Sequence, residues 1–172
     1  MQKYEVTALF CIFVSKGLNM RRFLFIVIIT VIGLSGCSKR NIYREFHKFD
    51  NYTWNRFDKV VYNMDIKTGD VNAEIILSVR YLEQFPYEEI PIQAILNTPS
   101  GEERIIEHTI KIKDEKGNFK GEVAGSYWDL DEVLWKSFYF NQAGKYSIEI
   151  ENINPYMGIP GIVDLGLTVK RK

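Results

Sequence analysis

The sequence is poor in the residue types that bind transition metals or form covalent cross-links. Its 172 residues include two cysteines, Cys11 and Cys37, and two histidines, His47 and His108. A cysteine-rich zinc cluster is excluded by number, and neither histidine has a second histidine at a ligand spacing. We expect His47 to be solvated, and His108, on an apolar strand face, to be half-buried with one satisfied nitrogen. The sequence therefore predicts no metal site and no cofactor.

Catalytic motifs are lacking as well. The sequence has no Gly-x-Ser-x-Gly elbow, phosphate-binding loop or His-Glu-x-x-His helix. Asp129, Asp131 and Glu132 lie beside Trp128, and paired carboxylates next to aromatic residues can serve glycoside hydrolysis. Adjacent acids at a helix start are far commoner, because they favour the positive end of the helix dipole, and we interpret these three in that way. We predict that the protein is not an enzyme.

Long apolar runs are also missing. The run from Phe23 to Leu34 is 12 residues long, whereas a membrane-spanning helix needs about 20. Arg21-Arg22 precedes this run and Leu34-Ser35-Gly36-Cys37 ends it, which is the order of a bacterial lipoprotein signal. We predict that residues 1–36 are a removable signal segment and that Cys37 is lipidated. A signal anchor or a core helix is the alternative.

The true start of translation is a separate question. Met20 is followed at once by Arg21-Arg22, so translation from Met20 would produce a signal of normal shape, and residues 1–19 are interpreted as a start-site artefact. Removal of residues 1–36 leaves one thiol, and that thiol carries acyl chains. An exported domain is free to use disulfides, but this one must be stabilised by packing alone.

The remaining 136 residues have the size of one domain with one core. They carry 18 basic and 21 acidic side chains, a formal net charge of about −3. Nucleic-acid binding requires a basic face, so we exclude nucleic acid as a partner.

Alternation of apolar and polar residues, typical of strands with one buried face, dominates the chain after residue 51. We divide the mature chain into 37–51, the lipidated cysteine and a tether with a helical turn near residues 43–46, and a folded domain at 52–172. Strands are predicted at 60–66, 71–81, 92–98, 106–112, 137–140, 145–152 and 162–170. A tight turn at 68–70 joins the first two strands, the next two form a hairpin, and a helical turn is expected at 129–135. These patterns predict an all-β fold, a jelly-roll-like β-sandwich, with a barrel as the alternative.

Aromatic residues are concentrated before the last three predicted strands. Flat rings can stack on sugars or anchor a protein interface, although most large aromatics in a disulfide-free sandwich are core residues. We take Tyr127, Trp128 and Trp135 as the candidate aromatic interaction surface, with a glycan as an alternative partner. Gly161 and Gly166 in the last strand indicate a bulge or a close backbone approach, with strand addition by a partner as a weaker reading.

Several short segments together resemble the gliding-motility lipoprotein H (GldH) family of the Bacteroidetes. The resemblance includes the lipoprotein signal, Tyr43, Trp54 and Asp58, and it is stronger in the second half of the chain. The segments there are Gly117-Asn118-Phe119-Lys120-Gly121, Leu134-Trp135, residues 140–150 and residues 159–169.

The resemblance implies an envelope lipoprotein from the gene set that gliding members need for surface motility, a process tied to type IX secretion. It transfers Cys37 as the lipidation site and no catalytic residue. Residues 38–41 lack both the aspartate of inner-membrane retention and the acidic run of surface export. We therefore expect a non-enzymatic interaction protein, anchored by lipid in the outer membrane, facing the periplasm and binding envelope proteins. The alternative is a carbohydrate-binding envelope lipoprotein.

Overall fold

The structure is a computed structural model that describes residues 41–172. The predicted signal segment, the start-site question and Cys37 lie outside the described residues. Eleven strands and one 3-10 turn form the described part. In chain order they are β1 (Asn41–Lys48), the 3-10 turn η1 (Asp50–Tyr52), β2 (Thr53–Asn55), β3 (Val60–Ile66), β4 (Val71–Leu82), β5 (Glu89–Asn97), β6 (Glu103–Lys111), β7 (Glu122–Ala124), β8 (Tyr127–Phe140), β9 (Gly144–Asn152), β10 (Gly158–Pro160) and β11 (Ile162–Arg171).

The strands form a β-sandwich, as predicted. One antiparallel sheet has the order β1-β11-β4-β8-β7, the other has the order β3-β9-β5-β6, and β2 and β10 form a short ribbon. No ladder joins the two larger sheets within residues 41–172, so the barrel alternative is wrong. The core lies between the sheets, and across it the Tyr62 hydroxyl donates a hydrogen bond to the Leu165 carbonyl at 2.9 Å.

Strands whose positions were predicted well show regular alternation of buried and outward-facing side chains. In β4, every second side chain from Val71 to Tyr81 is buried and those between them reach the outer face. The predicted hairpin is confirmed as β5 and β6, which pair from Glu89 with Lys111 to Asn97 with Glu103. The turn at 68–70 has a different role from a hairpin turn. It carries the chain from one sheet to the other, because β3 pairs with β9 whereas β4 pairs with β11 and β8.

The predicted tether over 37–51 is wrong from Asn41 onward. Residues 41–48 form β1, which pairs with β11 along its length, and the helical turn expected at 43–46 is absent from it. Apolar alternation is missing because β1 is an edge strand. Only Ile42 and Tyr43 pack partly against the core, and most of its other side chains are exposed. The folded domain therefore begins by Asn41 and not at residue 52.

The helical turn predicted at 129–135 is also wrong. Residues 127–140 form one strand, β8, which includes the short strand expected at 137–140. Register shifts opposite Ala73–Ile76 of β4 interrupt its alternation. Asp129 and Asp131 are therefore outward-facing strand residues, and their reading as helix-start acids fails.

Strand directions define two ends of the sandwich. Asn41 lies opposite Lys170 and Lys48 lies opposite Asp164, so β1 starts where β11 finishes. We call this the Asn41 end. At the opposite end, the Phe57 end, lie η1, the β2–β10 ribbon and the loops that precede β3 and follow β9.

Candidate functional site

A polar pocket lies on the outer face of the five-stranded sheet. Register places Asp129 of β8 and Asp164 of β11 on either side of Arg80 in β4. One pair further along, Ser78 lies between Asp131 and Gly166. The sheet pocket, as we call it, has a volume of about 200 Å³. Its lining residues are Arg44, Phe46, Ser78, Val79, Arg80, Asp129, Asp131 and Asp164.

Arg80 is held at the centre of this pocket. Its Nε and Nη2 donate to the two carboxylate oxygens of Asp129 at 2.7 and 2.8 Å, and its Nη1 lies 3.8 Å from Asp164 Oδ2. The bidentate hydrogen bond raises the pKa of Arg80 and lowers the pKa of Asp129. The guanidinium also lies over the Tyr127 ring, 5.9 Å from its centroid. Arg80 is thus a fixed structural cation with little freedom to reach a ligand.

Asp164 is the buried carboxylate of the pocket. Its side chain is 8% exposed, and burial raises its pKa, although the charges of Arg80 and Lys48 act in the opposite direction. Among residues 41–172 no group donates a hydrogen bond to this carboxylate, and Arg80 at 3.8 Å is an ion-pair neighbour only. Its oxygens therefore keep acceptor capacity on the pocket side.

Phe46 and Gly166 shape one wall of the pocket. An added Cβ at Gly166 would overlap the Phe46 ring, so the glycine gives the close approach predicted for it. The ring remains 46% exposed, and the Arg44 guanidinium lies 5.0 Å from its centroid. On the opposite side the Ser78 hydroxyl donates to Asp131 at 2.5 Å. The site thus combines an exposed ring, two arginines and three carboxylates.

The three predicted aromatic residues do not form one surface. Tyr127 lies on the outer face beneath Arg80. Trp128 is half-buried against Phe119, with ring centroids 5.7 Å apart, and Trp135 is half-buried against Phe138. Alternation along β8 sends neighbouring side chains to opposite faces, which separates Tyr127 from Trp128.

The three predicted acids do not converge either. Asp129 and Asp131 line the outer pocket, whereas Glu132 lies near His108 of β6 and Lys120, at 3.5 and 3.6 Å. Two of the three acids therefore share the sheet pocket, where Asp129 is bound to Arg80 and Asp131 accepts from Ser78, and Glu132 lies apart from them.

The exposure of both histidines is as predicted, but the satisfied nitrogen predicted for His108 is not observed among residues 41–172. His47 is exposed, with its ring against Phe49, and His108 is half-buried. The Nε2 atom of His108 is buried and has no hydrogen-bond partner within residues 41–172. No group of three His, Cys, Asp or Glu side chains in that range is arranged to hold a metal ion.

A second surface, which the sequence did not reveal, lies at the Phe57 end. We call it the apolar tip and define it as Phe57, Ile153, Tyr156 and Met157, all of them exposed. Phe57 is 76% and Met157 71% exposed. The Arg56 amide donates to the Met157 carbonyl at 3.0 Å, which joins the two loops. The sequence feature that could have indicated this surface is the presence of apolar residues within the turn-like segments 55–58 and 153–158.

Hydrogen bonds from neighbouring residues stabilise the loops of the apolar tip. The Trp54 indole donates to the Asp58 carbonyl at 2.8 Å, and the Asn55 amide donates to the Asp58 carboxylate at 2.7 Å. Buried Asn152 and Asn154 accept from the Asn154 and Tyr156 amides. Phe57 and Met157 are therefore presented on a preformed surface.

Comparison with known proteins gives the family. The profile of the GldH lipoprotein family matches residues 41–169, from the start of β1 almost to the end of β11. The protein belongs to the GldH lipoprotein family. A gliding motility lipoprotein GldH homolog from Christiangramia forsetii is 23% identical over 158 residues, covering 86% of this chain and 94% of the relative.

As a lipoprotein of the GldH family, the protein is membrane-anchored. No helix within residues 41–172 is long and apolar enough to span a bilayer. Solved structures are more distant. A family GH115 4-O-methyl-α-glucuronidase, BtGH115A, has a TM-score of 0.43 at 9% identity, covering 79% of this chain and 18% of the enzyme. A protein from Sulfurospirillum deleyianum has a TM-score of 0.38 at 11% identity, covering 76% of this chain and 99% of that protein.

Proposed function

We propose that this GldH protein is held in the outer membrane by acyl chains on Cys37, faces the periplasm, and binds other envelope proteins through its apolar tip. Its role is to assemble or stabilise an envelope complex without catalysis. In gliding relatives such a complex would serve surface motility or the associated type IX secretion. The observation that carries the proposal is the position of the apolar tip at the end of the sandwich opposite Asn41.

The chain lengths between Cys37 and the apolar tip favour a protein, rather than the bilayer itself, as the binding partner of the apolar tip. Cys37 precedes Asn41 by four residues, which can span at most about 14 Å. The eight residues of β1 then extend about 26 Å toward the Phe57 end. Acyl chains on Cys37 would therefore hold the Asn41 end near the membrane, with the apolar tip directed away from it. Exposed apolar patches of this kind mark protein interaction sites, and aromatic residues are common at their energetic centres.

Residues 38–41 support the proposed location. Ser38-Lys39-Arg40-Asn41 contains neither an aspartate after the lipidated cysteine nor a run of acids. By the sorting rules that the family resemblance implies, this sequence favours the periplasmic leaflet of the outer membrane.

Lipidation is tested by metabolic labelling with a palmitate analogue. Cys37→Ala should abolish incorporation and release the protein from the membrane fraction, because several acyl chains contribute about 0.8 kcal/mol per buried methylene. Cys11→Ala is the matched control and should be labelled like the wild type. Unlabelled wild-type protein, or labelled Cys37→Ala, would contradict the anchor.

The docking surface is tested in living cells with a photo-crosslinking residue at Phe57 or Met157, and with Tyr139 as the control position. Tyr139 is exposed but lies near the Asn41 end, where its hydroxyl donates to Asp70. We expect a defined adduct with one envelope protein from Phe57 and Met157 and none from Tyr139. Equal adducts from all three positions, or none from the apolar tip, would refute this surface.

A further inference from the structure

The sheet pocket has chemistry that the apolar tip lacks, and its position on a sheet face separates it from the proposed protein contact. We propose that the sheet pocket binds a neutral saccharide. The C–H face of one sugar ring packs against the exposed part of Phe46, and the sugar hydroxyls hydrogen-bond to Asp164, Asp131 and Arg44.

The first argument is the unfilled acceptor capacity of Asp164. Its side chain is more than nine-tenths buried, lines the pocket, and receives no hydrogen bond from residues 41–172. The oxygens of this carboxylate are not among the fully buried side-chain atoms that lack a partner, so they are open to the pocket. A ligand that supplies hydroxyl donors on the open side of the pocket can hydrogen-bond to them, and sugars carry several such donors on one ring.

The second argument is charge, which excludes other ligand classes. Three carboxylates and two arginines line the pocket, and this slight excess of negative charge disfavours an anion. A metal cation is disfavoured because Arg80 already lies among the same carboxylates, bonded to Asp129 and 3.8 Å from Asp164. With Arg44 and Arg80 against Asp129, Asp131 and Asp164, the pocket is close to neutral and rich in both donors and acceptors. A neutral polyhydroxylated ligand fits this balance.

The third argument is shape. The pocket volume of about 200 Å³ suits one sugar ring. Gly166 leaves room for the Phe46 ring beside the pocket, where an added Cβ would occupy the same space. An apolar ring beside convergent polar groups is the combination that orients a small ligand. Since the pocket is open to solvent along the sheet face, a longer saccharide can continue beyond the bound ring.

This site differs from the aromatic surface expected from the sequence. Trp128 and Trp135 pack against the core and take no part, and Phe46 lies in the segment predicted to be a tether. The proposal depends neither on lipidation nor on the protein-binding role of the apolar tip.

The test uses the full-length lipoprotein, purified in a detergent without a sugar headgroup, on an array of neutral oligosaccharides that includes maltose, cellobiose, lactose and chitobiose series. Saturation-transfer NMR with the best-bound sugar then measures affinity. We expect binding to at least one series, and about a tenfold loss of affinity in Phe46→Ala and in Asp164→Asn. Tyr139→Ala is the matched control, since it removes another exposed aromatic ring outside the pocket, and it should bind like the wild type.

Asp131→Asn removes a second acidic side chain of the pocket, at an exposed position. A folding defect in Asp164→Asn therefore does not end the test. Circular dichroism and thermal unfolding check each variant. Absence of binding to every neutral saccharide on the array overturns the proposal. Equal loss of affinity in Phe46→Ala and Tyr139→Ala also overturns it.

Discussion

Gly166 matters because of the side chain that it lacks. Phe46 of the edge strand β1 lies on this glycine, opposite it in register. In most strands an interior glycine forfeits packing, but here the space is filled by a ring from the neighbouring strand. The first and last strands therefore share one packing unit on the outer face.

We expect Gly166→Ala to lower the free energy of unfolding by about 1–3 kcal/mol, because the added methyl group must displace the Phe46 ring. In a Phe46→Ala background the same substitution should cost much less, since the space is then free. Urea denaturation of the two single variants and the double variant measures the coupling. An equal cost of Gly166→Ala in both backgrounds would show that the ring is not the cause.

The Arg80 cluster makes a prediction about pH. Burial raises the pKa of Asp164, so the folded state binds this proton more tightly than the unfolded state, and this group's contribution to stability falls as pH rises through the raised pKa. Asp129 behaves oppositely. Its lowered pKa contributes stability above the unfolded value, and that contribution is lost as pH falls through the folded one.

Arg80→Gln should therefore raise the pKa of both aspartates, leaving Lys48 as the remaining cation that favours charged Asp164. At pH 7 we expect a loss of about 1–3 kcal/mol in the free energy of unfolding, because a buried carboxylate loses its ion-pair neighbour. The loss should shrink as pH falls and Asp164 becomes protonated. Denaturation across a pH series and carboxyl NMR titration provide the measurements. A pH-independent loss, or one not reduced by adding Asp164→Asn, would contradict this account.

At the level of elements, β1 is the strand whose contribution is easiest to test. Replacing residues 41–48 by a Gly-Ser segment of equal length keeps the spacing to Cys37 but removes the Ile42 and Tyr43 contacts and weakens pairing with β11. We expect a loss of at least about 2 kcal/mol in the free energy of unfolding, with aggregation through the newly exposed edge of β11. Replacement of the exposed His47 by alanine is the control. If residues 41–48 were a tether, the Gly-Ser variant would be as stable as the wild type.

Most of the elements read correctly from the sequence show alternation with one buried face. It is continuous in β3, β4, β5 and β9, whereas buried Asp164 and Gly166 interrupt it in β11, and β6 was recognised from its apolar alternation although most of it is exposed. β1 was missed because an edge strand with few buried side chains has no such pattern. β8 was misread for two reasons. Bulges opposite Ala73–Ile76 shift the two-residue period of its side chains, and closely spaced acids such as Asp129 and Asp131 are also typical of a helix start.

The pocket depended on information that a local pattern does not contain. Arg80, Asp129 and Asp164 are at least 35 residues apart along the chain, and strand register alone brings them together. Lipoprotein signals, by contrast, are contiguous motifs, which is why Cys37 could be proposed from sequence. The aromatic residues were recognised, but no local feature indicated that Trp128 and Trp135 would face the core.

At the scale of the molecule, two functions are assigned to different places. The apolar tip lies at the end opposite Asn41, and the sheet pocket lies on a sheet face; the lipid that we propose on Cys37 would be attached beyond the Asn41 end. If Cys37 is lipidated as proposed, the four residues that lead from Cys37 to Asn41 would limit how far the Phe57 end can move relative to the membrane.

Insertion of a 20-residue Gly-Ser linker between Arg40 and Asn41 tests that arrangement. The linker adds about 25 Å of average reach, comparable with the length of β1, so the height of the apolar tip above the membrane is no longer fixed. We expect normal palmitate incorporation and an unchanged urea midpoint, with a reduced yield of the Phe57 photo-adduct. A rigid helical insert of equal span serves as the comparison. An undiminished yield with both inserts would mean that height above the bilayer does not select the partner.

The pairing of β1 with β11 has a consequence for biogenesis. Within residues 41–172, β1 is the first strand in the chain and pairs only with β11, the last, and β4 lies between β11 and β8. Closing such a long loop is slow and comes late in folding. A chain that emerges N-terminus first cannot complete its larger sheet until residues 162–171 are free. For the exported lipoprotein that we propose, we expect the larger sheet to be completed only after residues 162–171 have left the secretion channel.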